Sequence, residues 1–308
     1  MRIEQATPDV VKEAAKAIKK GEMVVLPTET VYGLACNALD AAAVNKVFEA
    51  KGRPSENPLI VHIADFQSLR SVAASWPDLA ESLAERFWPG PLTMVLKKKA
   101  SVPDETTAGL DTVAVRVPDH PVALAVIREA GVPIAAPSAN VFTRLSPTRA
   151  EDVDPKIADM AAMVLDGGRC RVGLESTVID MTAEHPRILR PGGVTRAQVQ
   201  AVVGRPLGHL PPPSLRKSPG TYARHYAPHA VLTVVDKIEN GQPGLTFKEP
   251  KAEGQIKMPD DPAAYAARLY HALRELDESG HDRIFVERPP SHPDWEAVHD
   301  RLKKASAN

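Results

Sequence analysis

Apolar positions fall into short solid runs and helix-spaced faces that alternate along most of the chain. In "TPDVVKEAAKAIKKG", Val10, Val11, Ala14 and Ile18 share one helical face. Thr7 suits the cap, Pro8 the first helical position and Gly21 the stop. "EMVVLP" then reads as a buried strand. "LDAAAVNKVFEAKG" predicts a second helix between Asp40 as cap and Gly52, and "NPLIVHI" the next strand. "WPDLAESLAERFWPG" is helical, "LTMVL" and "TVAVRV" are strands, and "HPVALAVIREAG" is a helix. "VPIAAPSAN" is a strand running into a polar turn. "MVLDGG", "STVIDM" and "RILRPGG" are short strands closed by turn residues, and "TRAQVQAVVG" is a helix with Thr195 near its start.

Strands alternating with helices predict an α/β domain over residues 1–204, and two successive strands without a helix between them predict a mixed sheet. The pattern breaks over residues 205–230. That stretch holds six prolines, four Lys or Arg, three His and no acidic residue, which predicts an extended, basic linker. Beyond it, "AVLTVV", "DPAAYAARLYHALRELDESG", "RIFVE" and "DWEAVHDRLKKA" predict strand, helix, strand and helix, a small α/β domain over 231–308. The polar segment "KIENGQPGLTFKEPKAEGQIKMPDDP" between the first two carries no strand pattern.

Composition adds mostly exclusions. The 308 residues are 43% hydrophobic and 25% charged with a net charge of −1, so no global field draws the chain to nucleic acid or to anionic lipid. Cys36 and Cys170 are isolated, against a disulfide framework and against a zinc site. No apolar run is long enough for a signal peptide core or a membrane span, which predicts a cytoplasmic protein.

Familiar nucleotide cradles and hydrolase motifs are absent. Polar residues instead collect where apolar strands end, the usual ligand side of an open α/β sheet. "LPTETVYGLA" is either a well-made turn or one wall of a site. Lys51 and Arg53 either favour a helix C-terminus or clamp phosphate. Arg116, between valines, needs an anion, either a structural carboxylate or a substrate's. Ser138, Asn140, Ser146, Ser176, Thr177 and Arg190 carry the same two readings. Together they describe a cavity for a polyanion and a small polar molecule. No nucleophile is paired to a base, so the chemistry predicted is phosphoryl or nucleotidyl transfer by positioning and charge, with Mg²⁺.

"LPTETVYGL", "KGRP…NPLIVHI", "FWPGPLT", "GLDTVAVRVP", "PIAAPSAN…SPT", "ESTVID" and "LRPGGVT" resemble, in that order, the YrdC-like threonylcarbamoyl-AMP synthases. The family's K-x-R and S-x-N signature corresponds to Lys51–Arg53 and Ser138–Asn140, and "SPGTYARHYAP" resembles the linker of the long, two-domain form. The resemblance implies an α/β fold: a twisted mixed-sheet domain with a large concave cavity, and a smaller Rossmann-like C-terminal domain. It implies a nucleotidyltransferase that makes threonylcarbamoyl-AMP and pyrophosphate from L-threonine, bicarbonate and ATP. The product feeds threonylcarbamoyladenosine modification of tRNA through downstream transferase proteins, with at most weak direct contact to tRNA and none to membrane.

By the same resemblance, Thr30, His62, Arg116 and Ser176 hold threonine, helped by the backbone near Ala136. Arg53, Asn57, Thr112, Ser138, Asn140, Ser146 and Arg190 hold ATP, Lys51 and Arg53 act at the phosphates, and Tyr226 closes over the nucleotide from the linker. Two departures stand out. The loop "VFTRLSPT" around Arg144 differs from the usual pattern, and the C-terminal domain looks short. Two other functions compete: an RNA-binding module without catalysis, and a carbamoyl-transferring relative. The near-neutral charge disfavours the first, and the missing cysteine pairs disfavour the second.

Overall fold

The computed structural model describes residues 2–208 and 224–307. A short strand, β1 (Ile3–Gln5), precedes helix α1 (Pro8–Lys19), whose Thr7 cap accepts from the Val10 N–H. Ala14, Ala15, Ala17 and Ile18 form its buried face, while Val10 and Val11 are half-buried. Strand β2 (Val24–Leu26) pairs antiparallel with β3 (Gly33–Asn37). The "LPTETVYGLA" stretch is therefore the connection of an antiparallel pair, and its last three residues, Gly33 to Ala35, already belong to the second strand. Helix α2 (Ala41–Lys51) starts at Asp40, which accepts from two N–H groups, and ends at Gly52 in the left-handed conformation.

Strands β4 (Ile60–His62) and β5 (Ala73–Ser75) lead to helix α3 (Asp78–Phe87). Strand β6 (Leu92–Lys98), helix α4 (Asp104–Thr107), strand β7 (Thr112–Arg116), helix α5 (Pro121–Ala130) and a two-residue strand β8 (Ile134–Ala135) follow. Most of "VPIAAPSAN" is thus loop rather than strand. Helix α6 (Pro155–Met160), strands β9 (Val164–Asp166), β10 (Thr177–Asp180) and β11 (Arg187–Arg190), and helix α7 (Arg196–Val203) complete the first body. Thr195 and Gln198 cap α7 reciprocally.

These strands form one mixed sheet in the order β1-β9-β2-β3-β8-β4-β7-β6-β10-β11, with β5 on β6. Pairs such as β4–β7 and β6–β10 are parallel, while β6–β7 and β10–β11 are antiparallel. The second body contains β12 (Val231–Val235), β13 (Gly244–Thr246), β14 (Gln255–Lys257), helix α8 (Pro262–Glu278), β15 (Arg283–Glu287) and helix α9 (Glu296–Ala305). Its sheet is wholly parallel, in the order β12-β15-β13-β14. The polar segment expected to lack strands supplies two of them. Of the proline-rich stretch, residues 209–223 lie outside the described residues.

The main core lies between the mixed sheet and its helices and includes Val25, Leu34, Val61, Leu92, Met94 and Val115. A second core surrounds Leu269, Leu273, Ile284 and Val286, and it takes in Val31, Leu145 and Leu174 from the first body. The two bodies therefore share an apolar interior as well as a chain.

Candidate functional site

Several strands of the mixed sheet end at one concave, partly enclosed cavity. The β2–β3 connection contributes Thr28 and Thr30. His62 and Arg116 close β4 and β7, and Arg190 closes β11. Ala136 and Ser138 follow β8, Ser176 precedes β10, and Arg53 lies just past α2. Side chains at strand ends project past the last backbone pairing, so a wide sheet can aim groups from distant sequence positions at one point.

Arg116 anchors one end. Its Nη2 forms an ion pair with Glu29 Oε2 at 2.5 Å, its Nη1 donates to Thr30 Oγ1 at 2.9 Å, and its Nε donates to the Gly90 carbonyl at 3.2 Å. Both members of the ion pair are buried. A structural carboxylate therefore partners Arg116. Thr28 holds the loop: its hydroxyl donates to the Val31 carbonyl and accepts from the Thr30 and Val31 N–H groups. Tyr32 points the other way, donating to the Gly168 carbonyl and accepting from the Gly167 N–H, so it ties β3 to the exit of β9. His62 is buried beside Arg116, and burial, then the Arg116 charge, pushes its imidazole down to about 3. It faces the cavity neutral.

Two further guanidiniums line the cavity. Arg53 donates through Nε and Nη2 to the Asn57 carbonyl and through Nη2 to the Pro58 carbonyl. Arg190 donates through Nε and Nη2 to the Ser176 carbonyl and through Nη2 to Ser176 Oγ at 3.1 Å. Ser176 Oγ also lies 2.7 Å from Thr93 Oγ1. Both guanidiniums are thus fixed by backbone carbonyls while lining the cavity.

Other expected residues stand behind the wall. Lys51 is fully buried, and its Nζ donates to the Ser138 and Asn140 carbonyls, each at 2.5 Å. Burial, and then the charge of Arg53, holds its ammonium well below the ordinary lysine range. Asn140 donates to the Val141 and Arg144 carbonyls. Asn57 meets Arg53 through its carbonyl, and Thr112 starts β7 opposite Lys97. None of these four lines the cavity. Ser146 is also covered, its hydroxyl donating to Glu175 at 2.6 Å.

Several groups at or behind the cavity wall were given no role from the sequence. Glu175 and His225 line the wall beside Tyr226. Arg301 and Tyr270, from helices α9 and α8, bond to Glu175 from behind. The unusual loop around Arg144 also gains a role: Arg144 bridges to Ala227, and its Nη1 donates to the Pro228 carbonyl. Glu175 had a cue, an acid inside the hydroxyl-rich "ESTVID", and His225 lies within "SPGTYARHYAP"; Arg301 sits among ordinary surface-type charges. Burial drives His225 down to about 3 and the Cys170 thiol up to about 12, so neither ionises near neutrality.

A family described as telomere recombination, the Sua5–YciO–YrdC group, matches residues 16–192. One described as the C-terminal domain of threonylcarbamoyl-AMP synthase matches residues 194–307. The threonylcarbamoyl-AMP synthase of Pyrococcus abyssi is 44% identical, over 96% of this chain and 94% of its own. That of Bacillus subtilis is 42% identical, over 96% of this chain and 92% of its own. The crystal structure of P. abyssi Sua5 complexed with L-threonine superposes with a TM-score of 0.91 at 41% identity, covering 99% of this chain and 96% of that one.

Proposed function

The chain belongs to the Sua5–YciO–YrdC family, and from that premise we propose that it is a threonylcarbamoyl-AMP synthase acting in tRNA modification. The observation that carries the reading is likeness to such synthases across both bodies rather than across the cavity-bearing one alone. L-threonine, bicarbonate and ATP would give threonylcarbamoyl-AMP, pyrophosphate and water.

The cavity suits each part of that reaction. Arg116 has five N–H donors; Gly90 and Thr30 take two of them and Glu29 meets Nη2 as an ion pair, which leaves N–H groups on both terminal nitrogens for a forked bond to the threonine carboxylate. Thr30, His62, Ala136 and Ser176 would complete the amino-acid end. The threonine amine captures carbon dioxide equivalent from bicarbonate and becomes a carbamate. Its oxygen attacks the α-phosphorus, the bond to the β-phosphate oxygen breaks, and pyrophosphate leaves. Arg53 and Arg190 would offset the negative charge that grows in that step, and Ser138 and Tyr226 would border the nucleotide. Lys51 and Asn140 would act through the loop they hold, with Asn57, Thr112 and Ser146 supporting the wall. No protein nucleophile is required.

Among the described residues no cluster of three carboxylates or imidazoles could cage a metal, and the Glu175 carboxylate is taken up by Arg301, Ser146 and Tyr270. Mg²⁺ would arrive on the triphosphate as part of the substrate. No described helix is long and apolar enough to cross a membrane.

The test is incubation with ATP, bicarbonate and Mg²⁺, with and without L-threonine, followed by mass spectrometry for threonylcarbamoyl-AMP. Threonine-dependent product is expected. Pyrophosphate release that ignores threonine would overturn the assignment.

A further inference from the structure

One carboxylate on the cavity wall is held from outside the body that carries the cavity. Glu175 accepts from Arg301 Nε at 2.7 Å and from Tyr270 Oη at 3.0 Å, both in the C-terminal body, and from Ser146 Oγ at 2.6 Å in its own. Arg301 is 1% exposed, and its Nη1 also donates to the Pro191 carbonyl and to Asp300. Its guanidinium lies 4.8 Å from the centre of the Tyr226 ring, which in turn stacks on Tyr270 at 5.9 Å. One side chain of α9 therefore touches two cavity-lining groups from behind.

An ionised carboxylate on the wall of a triphosphate site is a liability, because it repels the ligand through a low-dielectric interior. Replacing it by an apolar residue is one remedy; pairing it with a fixed cation is another. Arg301 does the second with an Nε hydrogen bond. Its flat guanidinium also suits the face of Tyr226, which a lysine ammonium would match less well.

We propose that Arg301 is a positioning residue for nucleotide binding: it neutralises Glu175 and braces the Tyr226 ring, so that the C-terminal body supplies part of the nucleotide wall. The proposal rests on the adenylation reading given above. It gives the small body a task at the reaction site without any of its own residues lining the cavity, since Tyr226 precedes it and Glu175 belongs to the other body.

The test uses the full-length chain with Arg301→Gln, the double variant Arg301→Gln/Glu175→Gln, Arg301→Lys and Tyr270→Phe, each checked for folding by circular dichroism. KM is measured separately for ATP and for threonine in threonylcarbamoyl-AMP formation. Arg301→Gln is expected to raise KM for ATP roughly tenfold or more, the loss of one charged hydrogen bond. KM for threonine should rise clearly less, because Arg301 bonds to Glu175 and to none of Thr30, His62, Arg116 and Ser176. Removing the stranded charge in the double variant should recover much of the ATP loss, which a merely structural role would not. Arg301→Lys and Tyr270→Phe should each raise KM for ATP by less.

An unchanged KM for ATP in Arg301→Gln overturns the proposal. So does a parallel rise for both substrates with no recovery in the double variant. If Arg301→Gln fails to fold, wild-type KM for ATP in both Arg301→Lys and Tyr270→Phe overturns it instead. If the wild type makes no threonylcarbamoyl-AMP, the adenylation reading fails on its own. Equilibrium binding of MgATP to the same variants then decides the role of Arg301.

Discussion

Arg116 shows how a residue can be both structural and available. Its pairing with Glu29 satisfies a guanidinium that would otherwise sit uncompensated inside the protein. Glu29→Gln is therefore expected to cost about 3 kcal/mol of stability, read from urea unfolding, because it strands a buried charge. A second expectation follows from protonation. The imidazoles of His62 and His225 are held near 3, below their ordinary 6.5, so the unfolded chain takes up protons the folded chain refuses. Stability should fall as pH drops below about 6.5 and keep falling toward 3. Burial alone would raise the Glu175 carboxyl, but Arg301 and Arg190, with bonds from Ser146 and Arg301, hold it at about 2. Its contribution is complete above its ordinary 4.5 and is lost between there and about 2. Urea midpoints across pH should show both limbs, with Glu175→Gln flattening only the acid one. A catalytic test belongs here too: Arg53→Ala should keep the fold and abolish adenylate formation, and near-normal turnover would count against its place at the phosphates. The residues read from sequence were those with a motif around them. Thr30, Arg116, Arg53 and Ser138 do converge on one cavity. Glu29 and Glu175 escaped because their partners, Arg116 and Arg301, lie far along the chain.

At the scale of elements, legibility followed length and capping. Helices α1, α2 and α7 carry Thr7, Asp40 and Thr195 as real caps, and glycines at 52 and 204 end the last two. Strands β1, β5, β13 and β14 have three residues each, too few for an alternating pattern to stand out. Strand β3 was hidden because the polar connection before it dominates the local reading. The "RPGG" turn after β11 shows what elements demand of one another. A Cβ on Gly192 would lie 2.3 Å from the Glu175 carbonyl oxygen and 2.4 Å from the Ser176 carbon, both main-chain atoms that cannot yield cheaply. Gly192→Ala should therefore destabilise by about 2 kcal/mol or more. It should also reduce turnover by displacing Ser176, with urea midpoint and product formation as the two readouts.

Two α/β bodies were expected from the change in composition at residue 205, and the structure has a large mixed sheet and a small parallel one. How the small body engages the large one was not, since the contacts join α8 and α9 to the segments at 145–152 and 174–175. A chain cut after Gly204 keeps the main core but loses Tyr226, Tyr270 and Arg301. It is expected to stay soluble and to make little product; full activity from that fragment would mean that the rest is only a tether. The small body fares differently, because Val31, Leu145 and Leu174 complete its interior and belong to its neighbour. Heat should consequently find one cooperative unit. Calorimetry of the full chain is expected to give a single endotherm whose calorimetric and van't Hoff enthalpies agree, and two resolved endotherms would contradict it. A body whose interior is completed by its neighbour has no melting temperature of its own.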